Sequence, residues 1–184
     1  IMKDGTEIPT RTFLWVSGIR ANAMPGISDD HQGRGFRFKV DQFNRIPGLD
    51  GVFAIGDQCL QTSDAAYPNG HPQVAQVAIQ QAKNLAKNFK KINEGQDDST
   101  LTAFKYNNLG SMATIGRNKA VVEIGKFRSQ GFFAWILWLV VHLRSILGVK
   151  NKMMVLLNWL WKYVSYNDSI RMITYATKPR EVVE

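Results

Sequence analysis

The chain has 184 residues, 45% of them hydrophobic and 21% charged, a composition that folds and that excludes an intrinsically disordered polypeptide. Its 23 Lys and Arg against 15 Asp and Glu give a formal charge of +8, which suits anionic lipid or nucleic acid without choosing between them. Cys59 is the single cysteine, so an internal disulfide framework, a cysteine zinc site and a redox dithiol are all excluded within this chain.

The N-terminal stretch Ile-Met-Lys-Asp-Gly carries no secretory signal pattern. Asp4-Gly5 marks a hairpin-like turn and edge over residues 3–9, and residues 11–16 form a β-rich run ending at Ser17-Gly18. Residues 22–33, with Pro25-Gly26 among polar neighbours, read as a crossover loop. Gly33-Arg34-Gly35 lacks the third glycine of a dinucleotide fingerprint, so any phosphate-cradling loop is expected upstream of residue 1, in a longer protein. A strand is predicted over residues 34–40, then an irregular link through Pro47-Gly48.

Val52-Phe-Ala-Ile55 is a short apolar run ending in Gly56-Asp57, which reads as a buried parallel strand delivering one carboxylate to the crevice where open α/β sheets bind ligands. Gly56 permits a close backbone approach, and Asp57 can accept hydrogen bonds from sugar-alcohol hydroxyls such as those of a ribityl chain. Cys59 beside this turn reads as a small buried residue. Residues 61–71 form a polar loop; His71 reads as a residue at the start of a helix, and with no second ligand at metal spacing no metal is predicted.

A helix is predicted from Pro72, with Val74, Ala78, Ala82, Leu85 and Phe89 as its apolar face. Ala75, Ala78 and Ala82 are small enough to admit a flat ring near the first turns, and Gln76 and Gln80 project together from an adjacent face. The positive end of this helix favours negative charge on the pyrimidine side of a reduced flavin. Strand, Gly-Asp turn and helix together therefore point to a flavin site.

Residues 88–102 read as a linker by composition. Strands are predicted at residues 104–106, 111–115 and 120–127, with Gly110 and residues 116–119 as turns. Residues 131–141 are then apolar except for Gly131, too short at about 1.5 Å per residue to cross a bilayer core of about 30 Å. His142, Arg144 and Ser145 break the run, and Lys150 and Lys152 lead into a second apolar segment at residues 153–161, ending in Lys162. Two short Trp-rich helices flanked by cations describe an anchor lying in a membrane surface; a buried helix pair or a dimer interface are the other readings.

The Gly56-Asp57 strand, the segment Ala75-Gln76-Val77-Ala78-Ile79-Gln80-Gln81, Phe104-Lys105-Tyr106 and residues 109–116 resemble the type II NADH dehydrogenases. These are single-subunit, non-proton-pumping NADH:quinone oxidoreductases of the two-dinucleotide-binding-domain flavoprotein superfamily. The resemblance extends over essentially the whole chain, from Thr12-Phe-Leu-Trp-Val-Ser-Gly18 to the aromatic segment. It implies an α/β fold: the C-terminal part of a Rossmann-like flavoprotein, then a small antiparallel β region and an amphipathic helical hairpin. The implied domains are the end of an NADH-binding domain at 1–25, part of the FAD-binding domain at 26–92, a linker at 93–102, and a β plus helical membrane-anchoring domain at 103–184.

The resemblance further implies FAD as cofactor, NADH and quinone as substrates, and peripheral attachment through residues 131–164 on the cytoplasmic face of a bacterial inner membrane, or on the mitochondrial inner membrane. No nucleic-acid partner is expected, and pairing of protomers stays open. Asp57, with Gly56, would hold the ribityl chain, and Val74, Ala75 and Gln76 would touch the isoalloxazine ring. Gln76, Gln80, Phe133 and Ile136 would line the quinone pocket. Gly18 would lie near NADH, unless the turn alone requires it. Some relatives carry His where Ile79 or Gln80 falls and others Lys near Phe133, so neither a catalytic residue nor a proton donor to quinone is identifiable. A soluble FAD-dependent NAD(P)H reductase would share the Gly-Asp strand without needing the hairpin. A non-catalytic membrane-surface module would share the hairpin without needing Asp57.

Overall fold

Strands β1 (Phe38–Val40) and β2 (Cys59–Gln61) pair in parallel, with Phe38 opposite Cys59 and Val40 opposite Gln61. Phe38, Val40 and Cys59 bury their side chains with Ile46 and Ala54, against Ile27, Leu49 and Val52. The computed structural model describes residues 5–14, 18–22 and 24–165, and it divides into two compact units, Ile1–Asn108 and Leu109–Glu184.

In the first unit several predicted elements move. The run Val52 to Ile55 is not a strand: Phe53 makes one antiparallel bridge to Arg45, and the Ile46 and Ala54 amides donate to Val52 and Asn44 carbonyls. Asn44, with φ 65°, curls the partner chain away, so the pairing stops after one bridge. The ladder forms instead after the Gly-Asp turn, where β2 meets β1. Residues 6–14 contain no strand, and Phe13 and Leu14 are exposed; Trp15, Val16 and Ser17, expected as the end of the β-rich run, lie outside the described residues.

Helix α1 spans Ala75–Asn93, starting three residues later than Pro72 predicts. Val74 is its N-cap in an extended conformation, and the Pro72 carbonyl is already taken by the Val74 amide in a tight turn. The helix also runs on into the stretch read as a linker. Its buried face lies about a quarter turn from the one predicted, carrying Val77, Gln81 and Asn88; Ala78 and Leu85 of the predicted face are half-buried, while Ala75, Ile79, Ala82, Ala86 and Phe89 are exposed. The reason is that residues 101–107 lie along the polar face. Asn84 and Asn88 both donate to the Thr102 carbonyl at 2.9 Å, and the Thr102 amide returns a bond to Asn88 at 2.9 Å. Phe104 and Tyr106 therefore sit in a core with Val77 and Tyr67, in no strand. Arg45 clasps Asp98 through two nitrogens at 2.6 and 2.8 Å, fastening the chain just beyond α1.

The second unit is an antiparallel meander, β3 (Ser111–Thr114), β4 (Ala120–Ile124) and β5 (Phe127–Gly131), with Met112 opposite Val122 and Val122 opposite Ser129. β5 is an element that sequence patterning does not single out, because Phe127-Arg-Ser-Gln has no apolar alternation. Gly110 precedes β3 at φ +98°, where a Cβ would fall 2.4 Å from the Glu123 carbonyl oxygen, so only glycine fits. β5 leads directly into α2 (Phe132–Ser145), and α3 (Val149–Ser165) returns after a short turn. Ala134 of α2 is 0% exposed and packs on Ala120 and Val122, with Met112, Trp135, Leu137 and Trp138 around them. Two facing alanines allow the helix to approach the sheet closely.

Candidate functional site

Gly56 opens a 3-10 turn, Gly56–Gln58, with φ +64°. A Cβ there would lie 3.1 Å from the Ala78 Cβ, so the turn rests directly on the first coils of α1. Two glutamines fix the contact. Gln81, 1% exposed, accepts the Gly56 amide hydrogen through Oε1 at 2.7 Å and donates from Nε2 to Cys59 Sγ at 3.4 Å. Gln73, just ahead of the helix, donates from Nε2 to the Asp57 carbonyl at 3.0 Å.

This leaves the Asp57 carboxylate exposed at the rim, with no hydrogen bond or ion pair to another described side chain. No side chain caps α1, whose first-turn amides carry the positive end of the helix dipole. Gly56, Asp57, Val74, Ala75 and Gln76 thus belong to one neighbourhood, at the point where the turn meets the helix start. Arg37, buried just before β1, is close enough to feel Asp57 electrostatically; burial is the main influence on its guanidinium and lowers its pKa from the ordinary value. Burial likewise pushes the Cys59 thiol upward, which keeps it protonated and inert.

Gln80 is committed to structure. Its Nε2 donates to the Asn107 carbonyl at 2.9 Å and its Oε1 accepts the Asn107 amide at 3.0 Å, leaving one donor and one acceptor position on the amide. Gln76, one turn earlier on the same side of the helix, is half-buried. Gly18 is exposed with φ +91° and open space around its Cα. Phe133 and Ile136 belong to the second unit, 82% and 40% exposed on α2.

Two features escape the sequence reading. Gln81 is a buried polar residue on a helix whose predicted core was apolar; the recurrence of Gln81, Asn84 and Asn88 with Val77 at helical spacing is the signal that marks it. His71, read as a residue at the start of a helix, has a buried partner: its Nε2 meets Asp64 Oδ2 at 3.0 Å, with both side chains buried. The hydrogen bond from His71 is the main reason the Asp64 carboxyl lies below the usual carboxylate range.

In the second unit, the outward stripe of α2 (Phe133, Ile136, Val140) and that of α3 (Met153, Leu157, Leu160, Val164) are exposed, as are Leu147 and Val149 in and after the turn. Behind them Trp135 stacks on Tyr163 at 5.7 Å, Trp138 stacks on His142 at 4.0 Å, and Arg117 lies over the Tyr163 ring at 4.6 Å. Among the described residues no helix is long and apolar enough to cross a membrane.

Residues 108–166 match the NDH2 C-terminal domain family. The chain carries an NDH2 C-terminal domain. It is a relative of the type II NADH dehydrogenases, matched in their C-terminal part. It is 33% identical over 186 residues to the internal alternative NAD(P)H-ubiquinone oxidoreductase A1, mitochondrial, of Arabidopsis thaliana, covering 94% of this chain and 36% of that protein. With the type II NADH:quinone oxidoreductase Ndh of Mycobacterium tuberculosis it shares 36% over 172 residues, covering 88% of this chain and 35% of the relative. The structure of NDH2 from Plasmodium falciparum in complex with NADH matches with TM-score 0.64 at 17% identity, over 75% of this chain and 41% of that one, a likeness of fold. This NDH2 relative spans about a third of the length of the curated proteins it matches. Its fold is α/β with a small antiparallel sheet and C-terminal helices, the coarse part of what the resemblance implies.

Proposed function

We propose that this chain is the C-terminal part of a membrane-associated flavoprotein that oxidises NADH and reduces quinone through FAD without pumping protons, its first unit completing a Rossmann-like FAD domain. The observation that carries the reading is the seating of the Gly56-Asp57 turn on the uncapped start of α1, held by Gln81 and Gln73. That junction suits a flavin: an exposed carboxylate for polyol hydroxyls, a glycine backbone at close quarters, and helix amides turned toward a group that becomes anionic on reduction. Bound FAD would supply the two-electron redox chemistry linking NADH to quinone.

The residues of this chain would bind and orient. Asp57 holds ribityl hydroxyls, and Gly56 keeps the backbone out of their way. Val74, Ala75 and Gln76 border the isoalloxazine, where two small or apolar residues exclude water and the Gln76 amide orients ring and quinone by hydrogen bonding. In this reading Gln76 and Gln80 line the quinone approach, and Gly18 serves the NADH side. The exposed stripe of α1 from Ala75 to Phe89 is consistent with a surface that the remainder of a longer protein covers.

The hairpin of α2 and α3 is the membrane-surface anchor in this reading. At about 1.5 Å per residue the helices span roughly 21 and 26 Å, short of a bilayer core of about 30 Å, so they lie along the interface. Each fully buried Leu, Met or Phe contributes about 1.5–3 kcal/mol, so a few of the exposed stripe residues suffice for firm attachment. Lys150 and Lys152 add attraction to anionic headgroups. This favours attachment over the soluble-reductase reading; the cytoplasmic face in bacteria, or a mitochondrial inner membrane, is part of the proposal. The test is NADH oxidation by the intact protein with a soluble quinone analogue, against NADPH. Flavin-dependent turnover with NADH supports the reading, and a colourless protein without turnover removes it.

A further inference from the structure

We infer that the buried pair of Asp64 and His71 is a positioning device that sets the start of α1 against the Gly56-Asp57 turn, and so tunes the proposed flavin site; it rests on that reading for its consequence, not for its geometry. Asp64 gathers three segments onto one carboxylate. Its Oδ2 takes the His71 Nε2 at 3.0 Å and the Tyr106 amide at 3.2 Å, and its Oδ1 takes the Ala66 amide at 3.1 Å. His71 is enclosed by Tyr67, Phe104 and Tyr106, with ring centroids 5.2, 5.3 and 5.8 Å away. Its backbone carbonyl accepts from Arg37 Nη1 at 3.0 Å, tying the same residue to the segment that enters β1.

From this fixed point the path to the turn is two residues long. Pro72, with its locked φ, passes the position of His71 to Gln73, whose amide holds the Asp57 carbonyl at 3.0 Å. Val74 then begins the helix with no side-chain cap, so the register of its first turn depends on what precedes it. Stability is a poor explanation for the pair. A buried polar pair is commonly matched or bettered by apolar residues of equal volume, and His71 Nδ1 is buried without a hydrogen-bond partner among the described residues, which is itself costly. An arrangement retained at that cost fixes geometry.

The experiment uses the intact protein with His71→Ala, His71→Gln and Gln73→Ala. His71→Gln keeps a donor that can reach Asp64, and Gln73→Ala cuts the link while leaving the buried core untouched. Hydrogen exchange of the amides at residues 74–78, visible circular dichroism of bound flavin and its midpoint potential are the readouts. Positioning predicts that His71→Ala and Gln73→Ala speed exchange at 74–78 about tenfold or more and displace both flavin signals in the same direction. It also predicts that His71→Gln restores all three, with the thermal midpoint of Gln73→Ala unchanged. Wild-type exchange at 74–78 in Gln73→Ala, or failure of His71→Gln to restore it, overturns the inference. If the intact protein holds no flavin, the functional reading falls and the exchange data alone decide the positioning role.

Discussion

Gln81 Oε1 accepts the Gly56 amide hydrogen at 2.7 Å, across the interface between α1 and the turn that carries Asp57. A buried side-chain amide thus holds a backbone donor that has no strand partner, and the turn is fixed from below. Replacing Gln81 with Leu removes the acceptor and leaves the amide unsatisfied, so a loss of about 1–3 kcal/mol is expected in urea denaturation, with weaker flavin retention. Gln81→Glu restores an acceptor and is expected to lose less retention than Gln81→Leu.

Gly56→Ala meets two penalties. Its φ of +64° costs a residue with a Cβ about 1–2 kcal/mol, and that Cβ would press on Ala78 at 3.1 Å. Adding Ala78→Gly relieves the contact but costs the helix about 1 kcal/mol by itself, so the double variant is expected to lose less than the sum of the two single losses in denaturation midpoint.

In the second unit, Gly110→Ala would drive a Cβ to 2.4 Å from the Glu123 carbonyl oxygen in a left-handed backbone. Neither atom is the end of a flexible side chain, so a cost of at least about 2 kcal/mol is expected, read as a lowered thermal midpoint of the β3, β4 and β5 meander.

Acid titration tests Asp64. Its carboxyl lies below the ordinary range because His71 donates to it, so the native state binds a proton less readily than the unfolded chain. The stabilisation is present above the ordinary carboxylate pKa and is lost as pH falls through the lower folded value. Urea midpoints measured from about pH 6 down to about pH 3 should fall more steeply in wild type than in Asp64→Asn, which loses the linkage while sitting lower at neutral pH.

Leu157→Asp with Leu160→Asp places two charges on the outward stripe of α3. Sedimentation with anionic vesicles is expected to drop at least about tenfold, while circular dichroism stays that of wild type. Substituting Lys150 and Lys152 by Gln should instead weaken binding mainly at low salt.

The sequence makes some of this legible and hides the rest for identifiable reasons. The helix following the Gly-Asp turn, the meander turn at residues 116–119, and both helices of the hairpin show in local periodicity and composition. Nothing local reveals β2, because Cys-Leu-Gln is three residues long and is made a strand only by β1 some twenty residues earlier. The buried face of α1 is misplaced by about a quarter turn for the same reason: Gln80, Asn84 and Asn88 look like a solvated side until residues 101–107 bond to them, and Gln81 until the Gly56 turn does. Gly56 and Asp57 stand out as a pair in sequence; helical spacing with Val77, Asn84 and Asn88 marks Gln81 as facing inward, but that Gln81 and Gln73 hold the turn is evident only from the packing. His71 reads only as a residue at the start of a helix because Asp64, its hydrogen-bond partner, and Tyr106, whose ring packs on it, are brought to it by folding.

The most direct measurement of the central claim is the flavin content of the intact protein beside its Asp57→Ala variant, by visible absorption after denaturation and by retention during dialysis. The account predicts about one flavin per wild-type chain and at least about tenfold faster loss from Asp57→Ala, with the fold intact. Equal retention in the two proteins, or a wild-type protein with no flavin, would contradict it.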